Sequence, residues 1–462
     1  MFIVKTQKAW EPGPLRLLML VALSGVAIGQ TSPVGSKDQE REFKRRTFYV
    51  RQTVGDDSND GLSPQTAWRH ISKLSRAMAA GDTAIVGPGL YRDAITVENE
   101  GTPENRLTFI ADSAGRHTGD PPGVVMVTGA DPVDESIFQP HSTPGVFVAD
   151  VAQYHPVGGV VEMDGEQYRY QRARSTKEHL RENLSELQVV SRLPSSYFYD
   201  KEARTLYIHT SDGQPPETHE IELFRRGNGI SMYGKHFITV VGFTFRHMGD
   251  AGINFFRGSG DGIAIGNTSY GSRQGIRVYD ATNVCVYANT LFRNENCGVY
   301  FAKGSVNGRA IGNTLYENIK GVRWSSASVN GQALGNTAFD NHEAGISIEE
   351  VDGVLLAGNS VINNKESQLL VIRSEYDSEG NCFENGGPDQ LTAYLPYAHK
   401  FKTLGEYQRA AHRDLSSREG DCGPPPKKLD VHKLHAATTA YTDWARKQLA
   451  AARDGEDQNP PE

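Results

Sequence analysis

From Gly229 the chain repeats itself, and a repeat of this length leaves few folds open. Successive coils read GISMYGKHFITVVGFTFRHMGDA, GINFFRGSGDGIAIGNTSYGSRQ, GIRVYDATNVCVYANTLFRNENC and GVYFAKGSVNGRAIGNTLYENIK, and two more follow from Gly321 and Gly345. Five coils hold 23 residues and one holds 24. Each opens Gly-(Ile/Val)-x-hydrophobic, the alternation of a strand with one buried face. About fourteen residues on, an asparagine recurs: Asn267, Asn289, Asn313, Asn336 and Asn359 fall in one column. Stacked coils lie ~4.8 Å apart, so these amides can hydrogen-bond along the axis as a ladder. A second polar column is expected at Asn294, Asn318, Asn341 and Asn363. The leucine spacing and helical segment of leucine-rich repeats are absent. The pattern predicts an all-β chain: a right-handed parallel β-helix of ~23-residue coils.

The remaining segments assemble around that stack. Residues 1–29 read as a signal peptide, with Lys5, Lys8 and Arg16 ahead of an apolar run from Leu17 to Ile28 and an Ala27-Ile28-Gly29 cleavage pattern. That reading implies a secreted, periplasmic or cell-envelope protein with no membrane span in the mature chain. Residues 47–130 are expected to hold an N-terminal cap and the first coils. The cap is a helix over 64–81, on the spacing of Trp68, Ile71, Leu74 and Met78. Early strands are expected around Thr83–Val86, Ala94–Val97, Leu107–Ala111 and Val124–Thr128. Residues 131–225 read as a small inserted α+β lobe and 226–375 as the regular coils. A helical C-terminal region (376–455) has helices near 400–413 and 429–452, and a disordered tail (456–462) ends the chain. Export permits disulfides; of Cys285, Cys297, Cys382 and Cys422, the expected pair is Cys382–Cys422, bracketing the non-repetitive end.

Residues 49–112, which include GDDSNDG at Gly55–Gly61 and the GDTAIVGPGLY passage at Gly81–Tyr91, resemble the N-terminal signature of secreted bacterial right-handed β-helix proteins of the pectate-lyase-like superfamily. SYFYDKEARTLYIHT (196–210), FITVVGFTFRHM (237–248) and LGEYQRAAHRDLSS (404–417) extend the resemblance along most of the chain. It implies the fold and leaves the chemistry open: relatives include polysaccharide lyases, glycoside hydrolases and uronate epimerases. In such enzymes the substrate groove follows the outer face of one parallel sheet, and many of the lyases use calcium.

If the Gly-(Ile/Val) strands form that face, Asn254, Arg277, Tyr300, Arg323 and Ser347 point outward, followed two residues on by Phe256, Tyr279, Ala302, Ser325 and Glu349. Arg277, Tyr300 and Arg323 then stack on consecutive coils, with Lys303 and Asp280 at the rim. A lyase needs a base for the proton at C5, a cation beside the uronate carboxylate and an acid for the leaving oxygen. Lys303 is the expected base, since lysine shifts its pKa more readily than arginine. Arg277 and Arg323 would grip carboxylates, and Tyr300 would stack on a sugar or act as acid. Asn254, Tyr279, His247 and Glu349 are candidate substrate contacts, and Asp250 with Asp280 a candidate Ca2+ site. Hydrolysis would need paired carboxylates, for which Asp250/Asp280 and Glu343/Glu349 are available. A non-catalytic glycan-binding or envelope scaffold is the reading from another class, because outward residues on any solenoid are polar. The GDDSNDG turn lacks the acidic ligand of a calcium loop and reads as an Asx turn; His432-x-x-His435 lacks a third ligand. A net charge of −8 offers no broad basic face to nucleic acid.

Overall fold

The computed structural model describes residues 45–385, 391–395, 397–411, 414–434 and 436. The expected signal peptide, the tail and most of the 429–452 helix lie outside the described residues. The protein is a right-handed parallel β-helix whose coils stack into three ten-stranded sheets. In each regular coil a long strand of the first sheet (Ala251–Phe256, for instance) is followed by short strands of the second (Ile263–Ile265) and third (Thr268–Tyr270). Between coils the register is set by residue identity: Ile253 lies beside Ile276, then Val299, Val322 and Ile346. These side chains are at most 1 % exposed, so each coil buries its apolar residues on those of its neighbours.

The coil corners follow from local geometry. After each first-sheet strand the chain turns through a left-handed residue: Arg257, Asp280, Lys303, Ser326 and Glu350 have φ between 46° and 57°. Further on, Gly308 and Gly331 pass directly over core rings. A Cβ at Gly331 would sit 2.3 Å from Trp324 Nε1, and one at Gly308 2.3 Å from a Phe301 ring carbon.

The asparagine ladder forms as expected and runs one rung further. Nδ2 donates to the next Oδ1 from Asn267 through Asn289, Asn313, Asn336 and Asn359 to Asn381, at 2.8–3.0 Å. The second column links Asn294, Asn318, Asn341 and Asn364. Asn364 takes the place expected of Asn363, which instead makes the corner at φ 53°.

The N-terminal helix is shorter than its periodicity suggests: a 3-10 turn at Ile71–Lys73 runs into Leu74–Ala77. Ile71, Leu74 and Met78 still cover the first coil. Trp68 is not helical; it bridges to Val50 and stacks on Phe48 at 5.1 Å. The GDDSNDG segment forms Asx turns, with Asp56 and Asp60 accepting from the amides of Ser58 and Leu62.

Between Val125–Thr128 and Asn228–Tyr233 the chain leaves the solenoid to form a five-stranded and a three-stranded sheet, with helices Lys177–Glu182 and Glu186–Arg192. The helical stretch is two helices and not one, because Asn183 turns left-handed and Ser185 starts a new helix with a capping box. This lobe has its own core around Tyr170, Tyr197, Leu206, Ile208 and Leu223. At the C-terminal end, Leu391–Leu395 and Tyr397–Phe401 close the first sheet as an antiparallel pair, and a helix follows at Leu404–Ala411. Cys382 and Cys422 are joined by a disulfide. It holds a segment that lays Val431 and Leu434 against the outward ring ladder of Tyr270, Phe292, Tyr316 and Phe339.

Candidate functional site

The register of the first sheet places Asn254, Arg277, Tyr300, Arg323 and Ser347 side by side, and beside them Phe256, Tyr279 and Ala302, with Ser325 next to Glu349. The face has three parts. At its N-terminal end the rings of Tyr233, Phe256 and Tyr279 succeed one another at 5.1 and 5.0 Å, with Tyr233 47 % exposed. The Arg277 guanidinium lies 4.8 Å from the Phe256 ring and 4.5 Å from that of Tyr279, and pairs with Asp250. In the middle, the Tyr300 hydroxyl is 3.0 Å from Ser325 Oγ, and Arg323 stands over its ring at 5.3 Å. Beyond it, Arg323 binds Glu349 at 2.5 Å, while Lys320 Nζ is 2.7 Å from Glu349 and 2.9 Å from Glu343.

The third part is charge-balanced. Burial opposes the charge on Lys320, but its bonds to Glu349 and Glu343 prevail and raise its pKa. Burial likewise works against the Glu349 carboxylate, and hydrogen bonds from Lys320 and Ser347 overcome it, holding Glu349 below its usual range. Burial pushes the Cys297 thiol up to about 12, so it is no nucleophile at neutral pH. Five polar atoms in or beside this column are buried without a hydrogen-bond partner: Asp250 Oδ1, Asn254 Oδ1, Gln274 Oε1, Arg277 Nε and Arg323 Nε. Such orphans are uncommon in a native interior and mark places where water or a ligand group belongs.

Several expected residues fall elsewhere. His247 does not face the groove: it is fully buried, stacked on Phe224 at 5.6 Å, with Nδ1 3.9 Å from Glu222. Burial outweighs the pull of Glu222 and, with Arg246 alongside, lowers its pKa to about 4. Asp250 and Asp280 do not come together. They flank opposite ends of the six-residue strands, Asp250 before Ala251 and Asp280 after Tyr279, which separates them by ~20 Å. Asp250 is committed to Arg277. Lys303 stands exposed at the left-handed corner, three residues past Tyr300 along the strand. Asn254 is in the column but only 1 % exposed.

Lys320 enters this face from the first residue of its strand, a position the sequence gives without a role, because alternation counted back from Val322 turns it inward. Its ammonium nevertheless lies on the outer carboxylates, and Glu343 and Glu349 to either side were the available signal. The lobe adds a flank: Arg169 reaches Glu295 at 2.8 Å, and Tyr168 lies 3.5 Å from Glu317 on the turns leading into this face.

A model of the family described as "Periplasmic copper-binding protein (NosD)" matches residues 205–386. The alpha-1,3-galactosidase A of Akkermansia muciniphila is 28 % identical over 102 residues, which is 22 % of this chain and 17 % of that protein. The match thus spans a small part of the curated relative. The chain is a right-handed parallel β-helix protein. Among solved structures, that of XylC in complex with xylose aligns with a TM-score of 0.48 at 13 % identity, covering 77 % of this chain and 73 % of that one. The pectate lyase Pel9A aligns with a TM-score of 0.46 at 11 % identity, covering 74 % and 69 %. Both likenesses concern the fold alone. Among the described residues no helix is long and apolar enough to cross a membrane.

Proposed function

We propose that the protein is exported and acts on an acidic polysaccharide laid along the outer face of the first sheet, as a uronate lyase. One observation carries this reading: Arg277, Tyr300 and Arg323 stand side by side on consecutive coils of one outward face, two guanidinium groups flanking a tyrosine. Two arginines two coils apart are ~10 Å from one another, about two sugar units. Their forks suit carboxylates, and the Tyr233–Phe256–Tyr279 rings continue the track as a stacking platform. The disulfide fits an oxidising compartment.

In β-elimination the C5–H bond breaks as its proton passes to a base. The C4–O bond then breaks, its oxygen takes a proton, and a C4=C5 double bond remains. Arg277 and Arg323 would bind the uronate carboxylates and stabilise charge developing at C5. The Tyr300 hydroxyl would protonate the leaving oxygen. Lys303, exposed at the corner past Tyr300, is the proposed base. Calcium would neutralise substrate carboxylates, but Asp250 and Asp280 stand at opposite strand ends, too far apart to hold it together.

A second reading, glycoside hydrolysis, has its own observation: Glu343 and Glu349 both lie within 2.9 Å of the same Lys320 nitrogen. Paired carboxylates at short separation are what that chemistry uses.

The test is turnover of pectate, alginate and glycosaminoglycans by the purified protein, with and without calcium, followed by the ultraviolet absorbance of unsaturated uronate. Product that disappears in Tyr300→Phe supports the lyase. New reducing ends without unsaturation, abolished in Glu349→Gln, would move the assignment to hydrolysis. No product on any of these polymers overturns the lyase reading, and full activity in Lys303→Ala removes Lys303 from the base role.

A further inference from the structure

A second constellation lies in the lobe, away from the first-sheet face. Glu162 ends the strand Val160–Glu162, Asp164 follows in the turn, and His219 precedes the antiparallel partner strand Ile221–Phe224. His219 Nδ1 is 3.1 Å from Glu162 Oε1 and 3.2 Å from Asp164 Oδ2, and its Nε2 is 3.1 Å from Asp212 Oδ1. The ligand atoms of Glu162, Asp164 and His219 all lie within 4.8 Å of one another. The cluster is held in place from behind. Glu162 accepts from the Tyr170 hydroxyl and from the amide and hydroxyl of Ser211, and Asp164 accepts from the Glu220 amide.

We infer that Glu162, Asp164 and His219 Nδ1 form a binding site for one divalent cation of the zinc class, with Asp212 orienting the imidazole. The hydrogen-bond inventory argues for it first. A carboxylate only accepts, so both ring nitrogens call for a positive partner: Nε2 faces Asp212, and Nδ1 faces Glu162 and Asp164. With Nε2–H donating to Asp212, a metal ion taking the place of the Nδ1 proton would meet that nitrogen and two carboxylate oxygens converging on one point. A positive charge belongs there. An added proton can serve one or two of these atoms, whereas a metal ion binds all three.

The spacing agrees. Bonds of ~2.0–2.1 Å in a tetrahedral shell put neighbouring ligand atoms roughly 3.3 Å apart, close to the 3.1 and 3.2 Å found. The Asp212–His219 contact is the outer-shell arrangement that fixes the tautomer of ligating histidines. Imidazole with carboxylates suits zinc-like ions, whereas calcium takes oxygen ligands.

A separate observation points to a ligand here. Glu162 and Asp164 open onto a cavity of about 430 Å³ that Gln167, Tyr168 and His432 also line. Gln167 is 1 % exposed and its Nε2 donates to Met163 O, between the two acids, yet its Oε1 has no partner. That amide oxygen is the candidate fourth donor. An ion at this point would tie the Val160–Asp164 segment to the 212–219 loop.

The experiment is calorimetric titration of zinc chloride into the chelator-treated full chain. One saturable site is expected, with affinity falling at least tenfold in Asp164→Asn and His219→Gln, and about 10–100-fold in Asp212→Asn. Asp57→Asn, at the exposed Asp57–His70 pair, should leave it unchanged. Asp164 is 43 % exposed, so its variant tests the site without emptying a core. In addition, zinc should raise the melting temperature of the wild type and not of Asp164→Asn. X-ray absorption should show a nitrogen and oxygen shell. No saturable binding, or binding unaltered by both Asp164→Asn and His219→Gln, overturns the inference and leaves a protonated His219 among its carboxylates.

Discussion

Asn313 donates its side-chain amide to Asn336 Oδ1 at 2.9 Å, and that same oxygen receives the Asn313 backbone N–H at 3.0 Å. Every rung of the ladder repeats this double contact, and the second proton of Asn313 Nδ2 goes to Val286 O on the preceding coil. The amide thus satisfies backbone groups that the corner would leave buried and unpaired. Replacing Asn313 by Ala should cost about 2–4 kcal/mol, since several buried partners are orphaned together. Urea unfolding of Asn313→Ala measures it, and a loss below about 0.5 kcal/mol would mean that the ladder is incidental.

The ladder was legible because its period is a property of the sequence alone, and so was the outward column, since alternation along a strand is fixed by the pleat. What stayed hidden is telling. Asn363 and Asn364 are adjacent, and only the left-handed corner at Asn363 decides which enters the stack. His247 follows a third-sheet strand and read as a turn residue, but the lobe, whose placement has no sequence period, covers it with Phe224 and Glu222. The cluster joins Glu162 and Asp164 to a histidine more than fifty residues on, beside strands without repeat character, so no spacing rule could bring it together.

The buried junction of lobe and solenoid should respond to acid. Glu222 is paired with Arg92 at 2.7 Å and with Arg246 at 3.4 Å, while His247 stays neutral beside it with a pKa of about 4. Unfolded, His247 takes a proton near pH 6.5; folded, it does not until about pH 4, so the unfolded state binds more protons throughout that window. Stability should therefore fall as pH drops through it, by up to about 3 kcal/mol for a shift of this size. The fall should be smaller in His247→Gln. Denaturant unfolding from pH 7 to 4 checks both, and an unchanged slope in the variant would refute the assignment.

The C-terminal segment should come off the third sheet when its staple is cut. The disulfide fixes Cys422 on Cys382, and beyond it Lys428 pairs with Glu317 at 2.9 Å and Asp340 at 2.6 Å. Cys382→Ser with Cys422→Ser should lose about 3–4 kcal/mol. It should also speed amide exchange at Leu429, whose N–H donates to the Tyr316 hydroxyl. Exchange at the Asn313 rung should remain slow in the same protein.

The central claim is that the Arg277–Tyr300–Arg323 face binds an acidic polymer, and affinity tests it before any chemistry is known. The measurement is titration of the full chain with polygalacturonate and with a neutral polysaccharide of similar length, repeated for the Arg277→Ala, Arg323→Ala double variant after its melting temperature is checked. We expect salt-sensitive binding of the acidic polymer alone, weakened at least about tenfold in the double variant through loss of two charge-assisted contacts. Equal affinity for the neutral polymer, or undiminished binding by the double variant, would contradict it.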